Sequence, residues 1–332
     1  MTDILFIKTS SLGDVIHHMP ALVDARRRLP DARFSWVVEE AYAPLARLHP
    51  AVDEVIPVAT RRWRRQLRDA FFRPSFKPGP STLSEIGAAL DHLRVRKYDT
   101  VIDTQGLFRT ALLAVFARGS RHGYDEKSVR ERLAWRFYDV CHSVSRSLHA
   151  IERNRILTGL ALGYQPEGDP EYGLEQGRLV SPATRPYAVM LHASANKNKL
   201  WPEDRWIAVG RALVQRGLSV VLPWGNEEER ARSERIAEDV WDCRLPALKP
   251  LDEVAQLIFG AKLVVGVDTG LLHLAAALAV PLVAVFSGSE PGLTGPVGKG
   301  PIKIVGDKNS PPETAAVIAA IEEFMPPRAS VL

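Results

Sequence analysis

Short apolar runs punctuate the chain, and most of them are continuous rather than alternating: Ile4-Leu5-Phe6-Ile7, Ala188-Val189-Met190-Leu191, Leu263-Val264-Val265. Such runs mark parallel strands covered on both faces. The pattern predicts strands at 3–8, 34–38, 54–58 and 99–103, with helical periodicity at 14–28, 84–96 and 107–117. The same grammar restarts with strands at 187–192, 218–222, 263–267 and 281–286 and helices at 203–216, 227–239, 251–260 and 270–279. A last helix, 312–325, follows Pro311-Pro312. Strand and helix in alternation build doubly wound α/β domains with a parallel sheet. Two such halves facing a cleft are the simplest architecture. The stretch 164–186, rich in Pro, Gly and Glu, has linker chemistry. The expected division is a domain over 1–165, a linker over 166–186, a second domain over 187–310, and a helix and tail over 311–332 able to pack back on the first domain.

Composition adds one asymmetry. The 332 residues carry a net charge of +4, but residues 1–150 hold 24 Lys+Arg against 17 Asp+Glu, and the rest is slightly acidic. The front half is expected to face something acidic. Segment 61–77 concentrates this charge: seven basic residues, one acid, and Trp63, Phe71, Phe72 and Phe76 between them. A solvated helix face or loop would explain the charge alone. Interleaved aromatics favour a membrane surface or acidic lipid. Nucleic acid is not expected, because no recognised module accompanies the patch. Two distant cysteines indicate a reducing compartment without a disulfide framework. Without a basic stretch leading into a long apolar core at the N-terminus, a cytoplasmic location is expected.

The chemistry concentrates at loops that follow strands. Lys8-Thr9-Ser10-Ser11-Leu12-Gly13-Asp14 joins the first strand to the first helix. It sits where open α/β sheets bind ligands, and Asp14 reads as the reactive carboxylate. In Val267-Asp268-Thr269-Gly270-Leu271-Leu272-His273 the amides of Thr269, Gly270 and Leu271 fall at a helix mouth, an anion site by backbone geometry and dipole. A helix merely capped by Asp268 or Thr269 explains the same residues. His192 to Pro202 places Ser194, Ala195 and Lys199 after another strand, and Lys199 could reach a diphosphate as a point charge. Glu227-Glu228-Glu229 opens a helix after Pro223-Trp224-Gly225-Asn226, where a carboxylate favours the dipole or accepts from ribose hydroxyls. Neither a dinucleotide fingerprint nor a P-loop occurs. With no D-x-D pair and no His/Cys cluster of zinc spacing, neither a metal nor a cofactor is expected. A diphosphate would then be neutralised by the protein's own cations and amides.

Together these pieces resemble glycosyltransferase family nine, the bacterial lipopolysaccharide heptosyltransferases of GT-B architecture. The residues carrying the resemblance are Lys8 to Val15 with Pro20-Ala21-Leu22, Trp36-Val37-Val38-Glu39-Glu40, Arg61-Arg62-Trp63-Arg64 and Val101 to Leu107. The back half adds His192, Lys199-Leu200-Trp201-Pro202, Leu222 to Gly225 and Val267 to His273. The family implies an inverting transfer of L-glycero-D-manno-heptose from ADP-heptose to the Kdo of Kdo2-lipid A, in lipopolysaccharide inner-core biosynthesis. A heptose acceptor, or a GT-B sugar-nucleotide epimerase, is the alternative. It implies Asp14 as general base, and Ser194, Lys199 and the Thr269-Gly270 amides on the diphosphate. Asp268 would contact heptose and one of Glu227 to Glu229 the ribose, with Glu229 the match. Ala195, Leu271 and His273 complete the donor site; Ala195 stands where some relatives carry a hydroxyl and leaves only an amide. Ser10, Gly13, Arg61, Arg62, Arg64, Arg65 and Gln105 would take the acceptor at the inner face of the inner membrane, with the enzyme peripherally attached.

Overall fold

The computed structural model describes residues 1–72, 80–174, 179, 185–246 and 250–326. The chain divides into two compact units, Met1–Gly173 and Leu174–Leu332. The first is built on strands β1 (Asp3–Ile7), β2 (Arg33–Glu39), β3 (Glu54–Val58), β4 (Lys97–Asp103), β5 (Arg118–Tyr124) and β6 (Val140–His142), in the order β3-β2-β1-β4-β5-β6. The second holds β7 (Tyr187–Leu191), β8 (Ser219–Val221), β9 (Cys243–Arg244), β10 (Leu263–Val267), β11 (Leu282–Val285) and β12 (Ile302–Val305), in the order β12-β11-β10-β7-β8-β9. Every neighbouring pair is parallel. The continuous apolar runs explain this: β7, β10 and β11 are buried along their whole length, as strands covered on both faces must be. In each sheet the chain order reverses once, between β1 and β4 and between β7 and β10. Those are the topological switch points where the loops after the strands part.

Four strands escape the apolar pattern. β5 reads Arg-Gly-Ser-Arg-His-Gly-Tyr, β6 has three residues and β9 two, and β12 is an edge strand with half its residues exposed. The helix Ala150–Leu162 escapes it too, because its packed face mixes Asn154, Arg155 and Thr158 with Ile151 and Leu157. Arg155 is buried in an ion pair with Asp24, at 2.7 Å, and Asn154 is buried against Lys8. A buried side inscribed with Asn, Arg and Thr looks like a solvated one until its partners are in place.

The predicted helix 14–28 is two helices, Leu12–Ile16 and Met19–Arg28, parted at His17-His18. Pro20 has no amide to donate, so it suits the first turn of a new helix rather than the interior of a long one. His17 and His18 are both buried at this break. His142 lies on β6, with its Nε2 3.0 Å from Nδ1 of His122. The basic segment forms the helix Thr60–Phe72, pinned by the buried Trp63; its remainder, with Phe76 and Lys77, lies outside the described residues. The final helix, Thr314–Phe324, sends Val317, Ala320 and Ile321 into the core of the second unit.

Candidate active site

The second unit gathers its predicted residues at the carboxyl ends of β7, β8 and β10. A cavity of about 300 Å³ opens there. Ser194 and Ala195 line it from the loop after β7, Trp224 and Glu229 from the loop and helix after β8, and Thr269 and Leu271 from the helix after β10. Leu251, Val254 and Leu257, on the helix Leu251–Phe259, make an apolar wall. The guanidinium of Arg230 lies 5.6 Å from the Trp224 ring centroid, a cation–π contact that holds the ring at the rim.

The helix mouth after β10 is built as the motif suggested. Thr269 is the N-cap residue in extended conformation, with no side-chain cap bond, and Gly270 begins the helix. The first amides of a helix lack intrahelical acceptors, so those of Gly270 and Leu271 are directed out of the mouth. Gly266, just before, lets β10 approach β7: an added Cβ would lie 2.9 Å from Cβ of Leu191.

Asp268 is the hub. Its Oδ2 accepts from Lys199 Nζ at 2.5 Å and from Ser289 Oγ at 2.5 Å, and His273 Nε2 lies 3.8 Å from Oδ1. Its backbone carbonyl accepts from Ser194 Oγ at 3.4 Å. The short turn Lys197–Lys199 is closed by Asn196, whose side chain accepts from the amide of Asn198. Lys199 is thus a half-buried cation aimed by a buried carboxylate. Of the glutamate triplet, Glu229 lines the cavity with Oε2 accepting from the Gly225 amide at 2.6 Å, while Glu227 and Glu228 stand in solvent beside Arg230 and Lys197. The amide of Glu229 is in turn capped by Asn226.

The first unit carries the other carboxylate. Asp14 Oδ2 accepts from the Ser11 amide at 2.9 Å, from Ser11 Oγ at 3.2 Å and from Arg130 at 3.3 Å. Asp14 is therefore a helix cap, but all three donors meet one oxygen, and Oδ1 takes none of them. Burial works to raise its pKa; the opposing cations Lys8 and Arg130 and the Ser11 amide outweigh it, so the carboxyl ionises below its ordinary range. Lys8 is buried, donating to the Thr104 carbonyl at 2.9 Å, and burial lowers its ammonium to about 8.

Around Asp14 the acceptor candidates separate. The Ser10 amide donates to Gln105 Oε1 at 3.1 Å, and Ser10 Oγ accepts from Arg109 at 2.8 Å. Gln105 is buried, on a turn shaped by Asp103, whose Oδ1 accepts from the Gln105 and Gly106 amides. Gly13 lies within the first helix. Arg61 reaches Tyr42, and Arg61 and Arg64 stand close enough to Arg109 that, after burial, their charges help to lower its pKa. Arg65 is exposed. Arg62 is committed elsewhere, in ion pairs with Glu40 at 2.9 Å and Glu85 at 2.8 Å. Arg109, Arg130, Lys8, Ser289 and Trp224 had no individual role in the sequence reading. Lys8 and Trp224 lie in stretches already marked and Arg109 just beyond one; Arg130 and Ser289 lie in none, and their partners Asp14 and Asp268 are far away in the chain. Among the described residues, no group of three His, Cys, Asp or Glu is placed to hold a metal ion, and no helix is long and apolar enough to cross a membrane.

Two doubly wound units, one with an anion-ready helix mouth and the other with a carboxylate at its switch point, define a GT-B glycosyltransferase. The sequence profile of glycosyltransferase family 9 (heptosyltransferase) matches residues 86–317, and the chain belongs to that family. It is 41% identical to the lipopolysaccharide heptosyltransferase 1 of Escherichia coli strain K12 over 300 residues, 89% of this chain and 91% of the relative. Its fold matches the Escherichia coli heptosyltransferase WaaC solved with ADP, with a TM-score of 0.88, 39% identity and coverage of 97% and 100% of the two chains. The same enzyme solved with ADP-2-deoxy-2-fluoro heptose matches with a TM-score of 0.83 and 37% identity, covering 99% and 100%.

Proposed function

We propose that this enzyme is an inverting transferase that moves L-glycero-D-manno-heptose from ADP-heptose to the Kdo of Kdo2-lipid A, in inner-core lipopolysaccharide synthesis. The observation that carries the reading is the pairing of chemistries in a chain similar along nearly its whole length to an ADP-binding heptosyltransferase. The second unit offers an apolar cavity ending in a helix mouth and an aimed lysine; the first offers a carboxylate whose donors from Ser11 and Arg130 all meet at Oδ2.

In this reading adenosine occupies the cavity, with Glu229 on a ribose hydroxyl. Ser194, the Ala195 amide, Lys199 and the amides of Thr269, Gly270 and Leu271 take the diphosphate. These donors matter most as the glycosidic bond breaks, because ADP leaves with added negative charge and the site stabilises it without reorganising. Asp268 aims Lys199 and, with His273, contacts the heptose. The acceptor hydroxyl becomes acidic as it attacks the anomeric carbon, and Asp14 takes its proton through Oδ1. A low pKa suits this role: the carboxylate is ionised at neutral pH and needs to be basic only toward a proton already being lost. One displacement with one base inverts the anomeric centre. Ser10, Gly13, Arg61, Arg62, Arg64, Arg65 and Gln105 form the acceptor side, Arg62 by bracing the helix against Glu40 and Glu85 and Gln105 by holding Ser10. The basic helix Thr60–Phe72 suits a peripheral attachment to the inner face of the inner membrane.

The test is mass spectrometry of Kdo2-lipid A after incubation with ADP-heptose. One added heptose on Kdo is expected. No product, or a product only on an acceptor that already carries heptose, refutes the assignment.

A further inference from the structure

The first unit bears a second, apolar surface on residues that have no part in the transfer step itself. On the helix Phe108–Phe116 three apolar side chains face outward, Phe108, Leu112 and Val115, at 42%, 37% and 40% exposure. Their spacing of four and then three puts them on one face. The turn Ala134–Phe137 packs beside this helix: the rings of Phe108 and Phe137 meet edge to face at 5.4 Å, and Leu133, also exposed, precedes the turn. A second outward apolar row lies on the helix Thr60–Phe72, where Trp63 is buried but Leu67 is exposed and Phe71 is 81% exposed.

Both helices begin at the acceptor side of Asp14. Arg109 donates to Ser10, Arg130 to Asp14, and the Phe108 amide to Glu131 at 2.6 Å. Arg61 and Arg64 approach Arg109 from the other helix. The apolar row of Phe108, Leu112 and Val115 therefore starts beside the reacting carboxylate and runs away from it for about 10 Å, at a helical rise of about 1.5 Å per residue. Cations lie beside it, Arg109 and Arg130 at its start, Arg136 on the turn packed against it, and Arg61 and Arg64 close to Arg109, with one acid, Glu131, on the Phe108 amide. Apolar rows bordered by arginine are the composition of a surface that lies in a lipid interface, where apolar groups enter the acyl boundary and cations take phosphate.

We propose that this face, led by Leu112 and Val115, is where the enzyme seats on an anionic bilayer. The seating presents a lipid-borne sugar to Asp14 from the membrane side. The proposal rests on the acceptor being a lipid, and it assigns the seating to the helix Phe108–Phe116 as well as to the basic helix.

The experiment compares wild type with Leu112→Asp/Val115→Asp in sedimentation with phosphatidylcholine vesicles, with and without phosphatidylglycerol. The wild type is expected to sediment with the anionic vesicles, and the variant to partition about tenfold less. Transfer to a deacylated, water-soluble Kdo acceptor is expected to be equal in the two proteins, while transfer to Kdo2-lipid A in vesicles falls in the variant. If the variant melts early, Leu112→Ser/Val115→Ser replaces it with the same expectation. A Leu112→Trp variant provides an independent readout, a blue shift of its emission on adding anionic vesicles. Equal sedimentation of wild type and variant, failure of the wild type to sediment, or an unshifted Leu112→Trp emission overturns the proposal. Absence of transfer to the soluble acceptor by wild type instead overturns the assignment of function, whatever the vesicles show.

Discussion

Asp14 and Asp268 both follow a strand that borders a switch point, one in each unit, and they are held in opposite ways. Asp268 is buried and its Oδ2 is shared by a lysine and a serine, with a histidine near Oδ1. Asp14 is half-buried, with its donors gathered on a single oxygen. The difference separates two uses of a carboxylate. An aspartate enclosed by a cation and a hydroxyl is well placed to orient the cation, and one whose donors gather on Oδ2 can take a proton on Oδ1. Burial alone would have ranked Asp268 as the more chemical of the two.

The sharpest way to break this contrast is Asp14→Asn. The variant is expected to lose about 10²–10⁴-fold in kcat, the usual range for a general base. ADP affinity and Tm should stay near wild type, because Asn also serves at helix starts. Near wild-type turnover would place the base elsewhere, and early melting would make Asp14 chiefly a cap.

Lys199→Ala tests the other side and should differ in kind. Loss of a charge-assisted contact of about 1.5–3 kcal/mol lowers kcat/KM for ADP-heptose about 10–150-fold. Tm should fall as well, because Asp268 keeps Ser289 but loses its cation. The double variant Lys199→Ala/Asp268→Ala should recover part of the Tm loss and none of the activity. Additive Tm losses would show that the two side chains do not act as a pair.

Arg130→Gln sharpens the account of Asp14. Burial already pushes that carboxyl upward, and Arg130 is one of the groups holding it down. Removing the cation should move the acid limb of the kcat/KM profile to higher pH. An unmoved limb would mean that Lys8 and the Ser11 amide set the ionisation without it.

The smallest effect concerns stability, where the units should behave alike. Each buries a neutral histidine near the end of its first strand. Burial lowers His18 well below its ordinary pKa and His192 to about 4. An unfolded imidazole protonates near pH 6.5. The folded state of His192 therefore binds fewer protons between about pH 6.5 and 4, and stability is full above that window and declines as pH falls through it. His192→Asn should flatten the Tm-versus-pH curve between pH 7 and 4.5. An unchanged slope would show that His192 does not contribute.

Local order determined what the sequence could state by itself. Continuous apolar runs specify parallel strands, small residues and Gly270 after a strand specify an anion-ready turn, and a carboxylate at residue 14 falls at a helix start. All three are written within a few residues, so periodicity and capping reveal them. The helices around β1 and the helix Ala150–Leu162 were less legible, because Pro20 and the buried Arg155–Asp24 pair override the simple period. Only the tertiary structure decided which side chains meet. Lys199 pairs with Asp268 across 69 residues, Arg109 reaches Ser10 across 99, and Arg130 reaches Asp14 across 116. It also turned Arg62 aside to Glu40 and Glu85, and set Glu229, of three consecutive glutamates, against the cavity. A short window records the residue types that a loop contains. The partner of each charge is set by how the sheet brings separate loops to one edge, and that depends on packing along the whole unit.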